Sequence, residues 1–180
     1  GSGNDEINVR LNRNEIDGGD GDDVIRLDTN QDVASKVYGG LGDDVLYLSS
    51  ENSRGVVDGG QGEDTLNTDD HSDELTGGNN GTIGDLNYNN FENINLGGGN
   101  DVANVINSVN FIDLGDGLDV ANLSANASGS INGGKSIDSI RDQSGDSELE
   151  TNSDYGGTID EVSYSNFEII DMGSGVDQAT

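Results

Sequence analysis

The sequence predicts an all-β fold of stacked parallel strands, a β-roll or β-solenoid, on three observations. A glycine-x-glycine-x-aspartate phrase recurs in phase along the 180 residues, short apolar alternations of strand period flank its copies, and a segment of the second half repeats one found 76 residues earlier. The phrase stands at Gly1 to Asp5, Gly19 to Asp23, Gly40 to Asp44, Gly97 to Asp101, Gly115 to Asp119 and Gly173 to Asp177, and at Gly60 to Asp64 with Glu63 in the variable slot.

From one closing aspartate to the next the spacings are 18 to Asp23, 21 to Asp44, 20 to Asp64, 37 to Asp101 and 18 to Asp119. A unit of 18 to 21 residues suits one coil: a turn, a short strand, a second turn and a strand running back. The gap of 37 then holds two units, with a degenerate turn at Gly78-Asn79-Asn80-Gly81 running on to Asp85. Asp138, 19 residues after Asp119, closes an eroded turn that is still in phase.

The strands follow in order. After each aspartate come alternating apolar residues: Ile7, Val9 and Leu11, then Ile25 and Leu27, then Leu46 and Leu48. Returning strands are marked by Ile16, Val37, Val57, Ile94 with Leu96, Ile112 with Leu114, Ile131, and Ile170 with Met172. Between them lie polar stretches without the phrase, Thr29 to Asp32 and Ser49 to Ser53, so the glycine turns are expected along one edge only. Above the coil sits the longer repeat: Gly81-Thr82-Ile83 through Tyr88, Asn90-Phe91-Glu92, Ile94, Gly97, Gly99 and Asp101 returns as Gly157-Thr158-Ile159 through Tyr164, Asn166-Phe167-Glu168, Ile170, Gly173, Gly175 and Asp177. This divides the chain into a module at 1–96, a second at 97–172 and the start of a third at 173–180, with about nine coils stacked over a length on the order of 45 Å.

Composition narrows the function. Only 30% of the residues are apolar and 4% aromatic, with 29 glycines, so a thick globular core is not available. Seven basic against 36 acidic residues give a net charge of −29, which excludes nucleic acid and anionic membrane as partners and implies strong self-repulsion. No apolar run approaches a membrane span, the opening Gly1-Ser2-Gly3 has no secretory-signal pattern, and without cysteine there is neither a disulfide nor a thiolate site.

The phrase itself points to a cation. Glycines admit left-handed backbone that lets carbonyl oxygens converge, and the closing aspartate adds a charged oxygen, a donor set suited to calcium. Ordinary metal-free turns would need neither the periodicity nor the charge. Phosphate cradles are disfavoured by the acids and by the lack of a following lysine. His71, the only histidine, reads as a solvated loop residue, and a carboxylate pair for glycoside hydrolysis would need a desolvated pocket that a thin rod does not offer. Tyr88 with Phe91 and Tyr164 with Phe167 suggest either a sugar-stacking platform or core residues at the module ends, the phenylalanines at least belonging to the core.

On Gly18-Gly19-Asp20-Gly21-Asp22-Asp23-Val24-Ile25, Gly39-Gly40-Leu41-Gly42-Asp43-Asp44-Val45-Leu46 and Gly59-Gly60-Gln61-Gly62-Glu63-Asp64-Thr65-Leu66, the chain resembles the RTX family of hemolysin-type calcium-binding repeats. The resemblance implies a right-handed parallel β-roll with calcium held between stacked turns, and type I export with folding on extracellular calcium. It makes ligands of Asp5, Asp23, Asp44, Asp64, Asp101, Asp119 and Asp138, with carbonyls of the turn glycines Gly19, Gly21, Gly40, Gly42, Gly60, Gly62, Gly97, Gly99, Gly115 and Gly117. Gly173, Gly175 and Asp177 would await a turn beyond the chain end. Departures are the single motif per coil, the eroded turns near Gly81, Asp138 and Asp160, and Ala103, Ala121 and Ala179 where the family prefers a larger apolar residue.

The expectation is therefore a calcium-binding structural module, without catalytic residues, of a secreted or cell-surface bacterial protein such as an adhesin or surface layer, holding roughly five to eight Ca2+ ions. The shared phase of the two ends is compatible with copies or neighbouring modules joining end to end into a filament. The alternative is a calcium-dependent folding and secretion module of an RTX lipase, protease or polysaccharide epimerase.

Overall fold

A computed structural model describes residues 1–9, 15–27, 34–49, 54–153 and 155–180. The expected polar turn at Thr29 to Asp32, most of that at Ser49 to Ser53, and Leu11 lie outside the described residues.

The apolar alternations become strands. In chain order the first seven are β1 (Glu6–Val9), β2 (Glu15–Asp20), β3 (Val24–Leu27), β4 (Ala34–Leu41), β5 (Val45–Leu48), β6 (Arg54–Gln61) and β7 (Thr65–Asn67). Odd-numbered strands pair in parallel in one sheet and even-numbered strands in a second. Register places like residues on like: Ile7 beside Ile25, Leu46 and Leu66 in the first sheet, and Ile16 beside Val37 and Val57 in the second. A one-residue slip would turn every one of these to solvent, so the apolar alternation fixes the stacking.

The chain then departs from this rhythm. Strands β8 (Glu74–Gly77), β9 (Gly81–Ile83) and β10 (Leu86–Asn89) form an antiparallel meander within the second sheet, β10 returning to pair with β6. Gly78-Asn79-Asn80 and Gly84-Asp85 are its two hairpin turns, so the degenerate copy expected there is absent, and the turn within the gap that stacks against Gly97 to Asp101 is Asp69 to Asp73. Parallel stacking resumes with β11 (Asn93–Asn95), β12 (Val102–Val105), β13 (Ser108–Asp113), β14 (Val120–Leu123), β15 (Ser128–Asn132) and β16 (Ser139–Asp142). A second meander, β17 (Glu148–Ser153), β18 (Gly156–Ile159) and β19 (Val162–Ser165), lies in the first sheet, followed by β20 (Ile169–Asp171) and β21 (Gln178–Ala179). Asp160 lies in the turn between β18 and β19, the counterpart of Gly84, and not in an eroded motif turn.

The described residues form an all-β arrangement of two mostly parallel sheets, with eleven strands (β1-β3-β5-β7-β11-β13-β15-β19-β18-β17-β21) and ten (β2-β4-β6-β10-β9-β8-β12-β14-β16-β20). A thin core lies between them, one residue deep from each sheet. Ile25, Leu46, Leu66, Ile94, Ile112 and Ile131 fill it from the first sheet, and Val37, Val57, Leu75, Ala103, Ala121 and Ile140 from the second, all buried. Tyr88, Phe91, Tyr164 and Phe167 are buried as well, which removes them as a sugar-stacking surface.

Except for β9 and β18, all strands of a given sheet run in one direction. Turns that leave the second sheet for the first therefore lie along one edge of the stack, and turns in the reverse sense lie along the other. The copies at Gly19, Gly40 and Gly60 connect β2 to β3, β4 to β5 and β6 to β7, from the second sheet to the first. Those at Gly97, Gly115 and Gly133 connect β11 to β12, β13 to β14 and β15 to β16, from the first to the second. The expectation of a single glycine-rich edge is thus corrected: these motif turns follow strands of the second sheet before the first meander and strands of the first sheet between it and the second.

Candidate metal centre

The closing aspartates do not point to solvent. Asp23, Asp44, Asp64, Asp101, Asp119 and Asp138 are 0–3% exposed. On the first edge each Oδ1 accepts the backbone N–H of the aspartate one turn earlier: Asp5 to Asp23 at 2.7 Å, Asp23 to Asp44 at 2.8 Å and Asp44 to Asp64 at 2.8 Å. The second edge repeats this from Asp73 to Asp101 at 2.7 Å, Asp101 to Asp119 at 2.7 Å and Asp119 to Asp138 at 2.8 Å. Two ladders of carboxylates therefore run along the molecule, one per edge. A third begins where Ser147 donates its N–H to Asp177 Oδ1 at 3.2 Å, so Asp177 is stacked on an earlier turn.

Within each ladder the second carboxylate oxygen is stranded. Oδ2 of Asp23, Asp44, Asp64, Asp101, Asp119 and Asp138 is buried with no hydrogen-bond donor. Burial disfavours the charged form and neighbouring carboxylates add to it, while the bond from the backbone N–H opposes both. The net effect raises Asp44 and Asp119 above the usual carboxylate range, Asp64 and Asp138 to about 6 and Asp101 to about 7.

Carbonyls crowd the same place. A Cβ on Gly18 would collide with Oδ2 of Asp23 and the carbonyl of Gly39, and one on Gly39 with Oδ2 of Asp44 and the carbonyl of Gly59. Each first glycine is thus required because a carboxylate oxygen of its own turn and a carbonyl of the next approach the backbone together. In the eroded turn Gly133 to Asp138, Ser136 holds φ 96 where other copies carry glycine, so the turn conformation survives the substitution. Asp138 accordingly takes its place in the ladder.

A counter-ladder runs outside the first. The residue before each aspartate accepts the N–H of its counterpart in the following turn, Asn4 from Asp22 at 3.0 Å, Asp22 from Asp43 at 3.0 Å and Asp43 from Glu63 at 2.8 Å. Its direction is opposite to that of the inner ladder, so each turn is tied to both neighbours.

This donor set fits a hard divalent cation. It offers stranded carboxylate oxygens and glycine carbonyls, no nitrogen or sulfur donor, and buried acids whose charge a cation would restore. Among the described residues no three Asp, Glu or His side chains converge, so backbone oxygens would have to supply much of the shell. His71 stands apart, half exposed with Nδ1 2.6 Å from Asp69 Oδ1.

Four members of the ladders lie outside the glycine motif: Asp73, Glu92, Ser147 and Glu168. Glu92 Oε2 accepts the N–H of Asp64 at 2.9 Å, and Glu168 Oε2 that of Asp138 at 2.8 Å. The available signal was spacing. Asp64 to Glu92 and Asp73 to Asp101 are both 28 residues, and Asp138 to Glu168 and Ser147 to Asp177 are both 30. No family model matches the chain, and no curated protein is significantly similar to it.

Proposed function

We propose that the chain is a calcium-binding structural module of the RTX type, belonging to a secreted or cell-surface bacterial protein, which folds and stiffens on extracellular calcium. The reading rests on one observation above the others: six buried carboxylates at coil spacing, each with a stranded oxygen, which in Asp23, Asp44 and Asp64 lies against a turn glycine. The ligands in this reading are Asp5, Asp23, Asp44 and Asp64 on one edge and Asp101, Asp119 and Asp138 on the other, with carbonyls of adjacent turns. Asp177 would contribute similarly against the turn at Ser147.

In this reading the two sheets are the faces of a right-handed β-roll of about nine coils. Without the ion the turns would hold unpaired carboxylates in a dry setting on a chain of net charge −29, so ion binding free energy becomes folding free energy. Weak sites, filled at extracellular and empty at cytosolic calcium, would keep the chain unfolded until export. A stiff rod with carboxylates assigned to ion ligation suits an adhesin, surface layer or filament, in which modules join end to end.

Calcium titration followed by far-UV circular dichroism, with magnesium as control, tests the proposal. A gain of β signal at millimolar calcium is expected. The same spectrum with and without calcium would overturn it.

A further inference from the structure

We propose that Asn90-Phe91-Glu92 and Asn166-Phe167-Glu168 are closing turns that complete a cation site at the end of each ladder, pairing Asp64 with Glu92 and Asp138 with Glu168. The inference rests on the calcium reading above and extends it to two carboxylates that the glycine motif does not contain.

Each closing turn reproduces the groups of a glycine turn without its glycines. Asn90 and Asn166 take φ 55 and 57, the left-handed backbone that asparagine tolerates best after glycine. Their carbonyls stand where a glycine carbonyl stands elsewhere: a Cβ on Gly59 would strike Asn90 O, and one on Gly133 would strike Asn166 O, just as one on Gly39 would strike Gly59 O. Asn90 Nδ2 donates to Asp58 Oδ1 at 2.8 Å and Asn166 Nδ2 to Asn132 Oδ1 at 2.7 Å, which fixes each turn on its predecessor. Phe91 and Phe167, each 1% exposed, anchor the turns in the core. The glutamates then reach back to the N–H that an aspartate would otherwise take, at 2.9 and 2.8 Å.

Two features show that the glutamates do more than cap. Asp64 and Asp138 are 0% exposed, and the Oδ2 of each is without a donor. A mere cap would be better made with glutamine, which accepts the same N–H without placing a second negative charge beside a buried carboxylate. An anion placed there twice, at independent ladders on opposite edges, is explained by a cation shared between the two carboxylates. Two carboxylates and a carbonyl form an oxygen donor set suited to calcium.

The test counts ions. Calcium binding to the whole chain is measured by isothermal titration and equilibrium dialysis for wild type, Glu92→Gln, Glu168→Gln, the double variant, and Glu150→Gln, which removes an exposed charge outside both ladders. Each single variant should lose one ion or show one site weakened at least roughly tenfold, the double variant should lose two, and Glu150→Gln should match wild type. The two ladders close independently, so each variant checks the other. Wild-type stoichiometry and affinity in both single variants would reduce the closing turns to hydrogen-bond caps while leaving the calcium reading intact. No calcium uptake by wild type would overturn both.

Discussion

A buried carboxylate with one oxygen unsatisfied is tolerable only if it gains a proton or a cation. The ladder aspartates are in that position, and their behaviour without divalent ions follows from the direction of their shifts. Asp64, Asp101 and Asp138 titrate at about 6, 7 and 6 in the fold, above the 3.8 of a free aspartate. A carboxyl raised on folding contributes stability that is present below its unfolded pKa and is lost as pH rises through its folded pKa. In EDTA the melting temperature should therefore be higher at about pH 5 than at about pH 8, and calcium should abolish that preference by favouring the charged form. Equal melting temperatures at the two pH values would contradict the burial of these groups. Asp101→Asn, which keeps an acceptor and removes the charge, should raise the melting temperature in EDTA and weaken calcium binding about tenfold. The glycines divide just as sharply. Gly39→Ala drives a methyl into Asp44 and the Gly59 carbonyl and should cost about 3 kcal/mol or more in urea unfolding at saturating calcium, whereas Gly84→Ala, with φ 53 and open space around it, should cost only about 1 kcal/mol.

At the scale of the element, each strand is too short and too narrow to stand alone, and what it lacks is supplied by stacking. Parallel sheets usually need both faces covered, yet here the outer faces meet water. Amide side chains in register make this possible: Asn95 Nδ2 donates to Asn67 Oδ1 at 2.8 Å on the first sheet, and Asn122 Nδ2 to Asn104 Oδ1 at 2.9 Å on the second. The meanders are built on an aromatic laid over glycine. Tyr88 and Tyr164 approach Gly81 and Gly157 so closely that a Cβ would stand 2.8 and 2.9 Å from the phenol oxygen. The two tyrosines differ in one respect: Tyr88 donates to Gly78 O at 2.8 Å, while the Tyr164 hydroxyl is buried without a partner among the described residues. Tyr88→Phe should accordingly lose about 1 kcal/mol of stability and Tyr164→Phe close to none, a contrast that paired denaturant melts would check. Equal losses would show that the second hydroxyl has a partner after all.

For the whole molecule, charge and architecture pull against each other. A net charge of −29 on a thin stack of two sheets favours expansion, and simple salt can only screen it over distances of about 8–10 Å. High sodium chloride in place of calcium should therefore restore little of the β signal at neutral pH, because screening leaves the stranded Oδ2 atoms unligated. Full recovery in sodium chloride alone, followed by circular dichroism, would show that general repulsion and not site occupancy governs folding.

Much of this architecture could be read from the chain, because the demands are local. Glycine at a crowded turn, aspartate at its close and apolar residues two apart afterwards are each imposed by neighbours one coil away, so they recur at coil spacing. Ile25, Leu46, Val37 and Val57 stand at the apolar positions of that pattern and are buried in the core. The sequence by itself thus determined the all-β character, the spacing of the turns and the aspartates that close them. Only the tertiary structure decided which edge each turn occupies and that Asp73, Glu92 and Glu168 join the ladders. The reason is physical: a turn's edge depends on which sheet the strand before it joins, and that is settled by hydrogen bonds to strands far away in sequence. No local pattern marks that choice, and the partner brought to Asp64 comes from 28 residues away through space, not through the repeat.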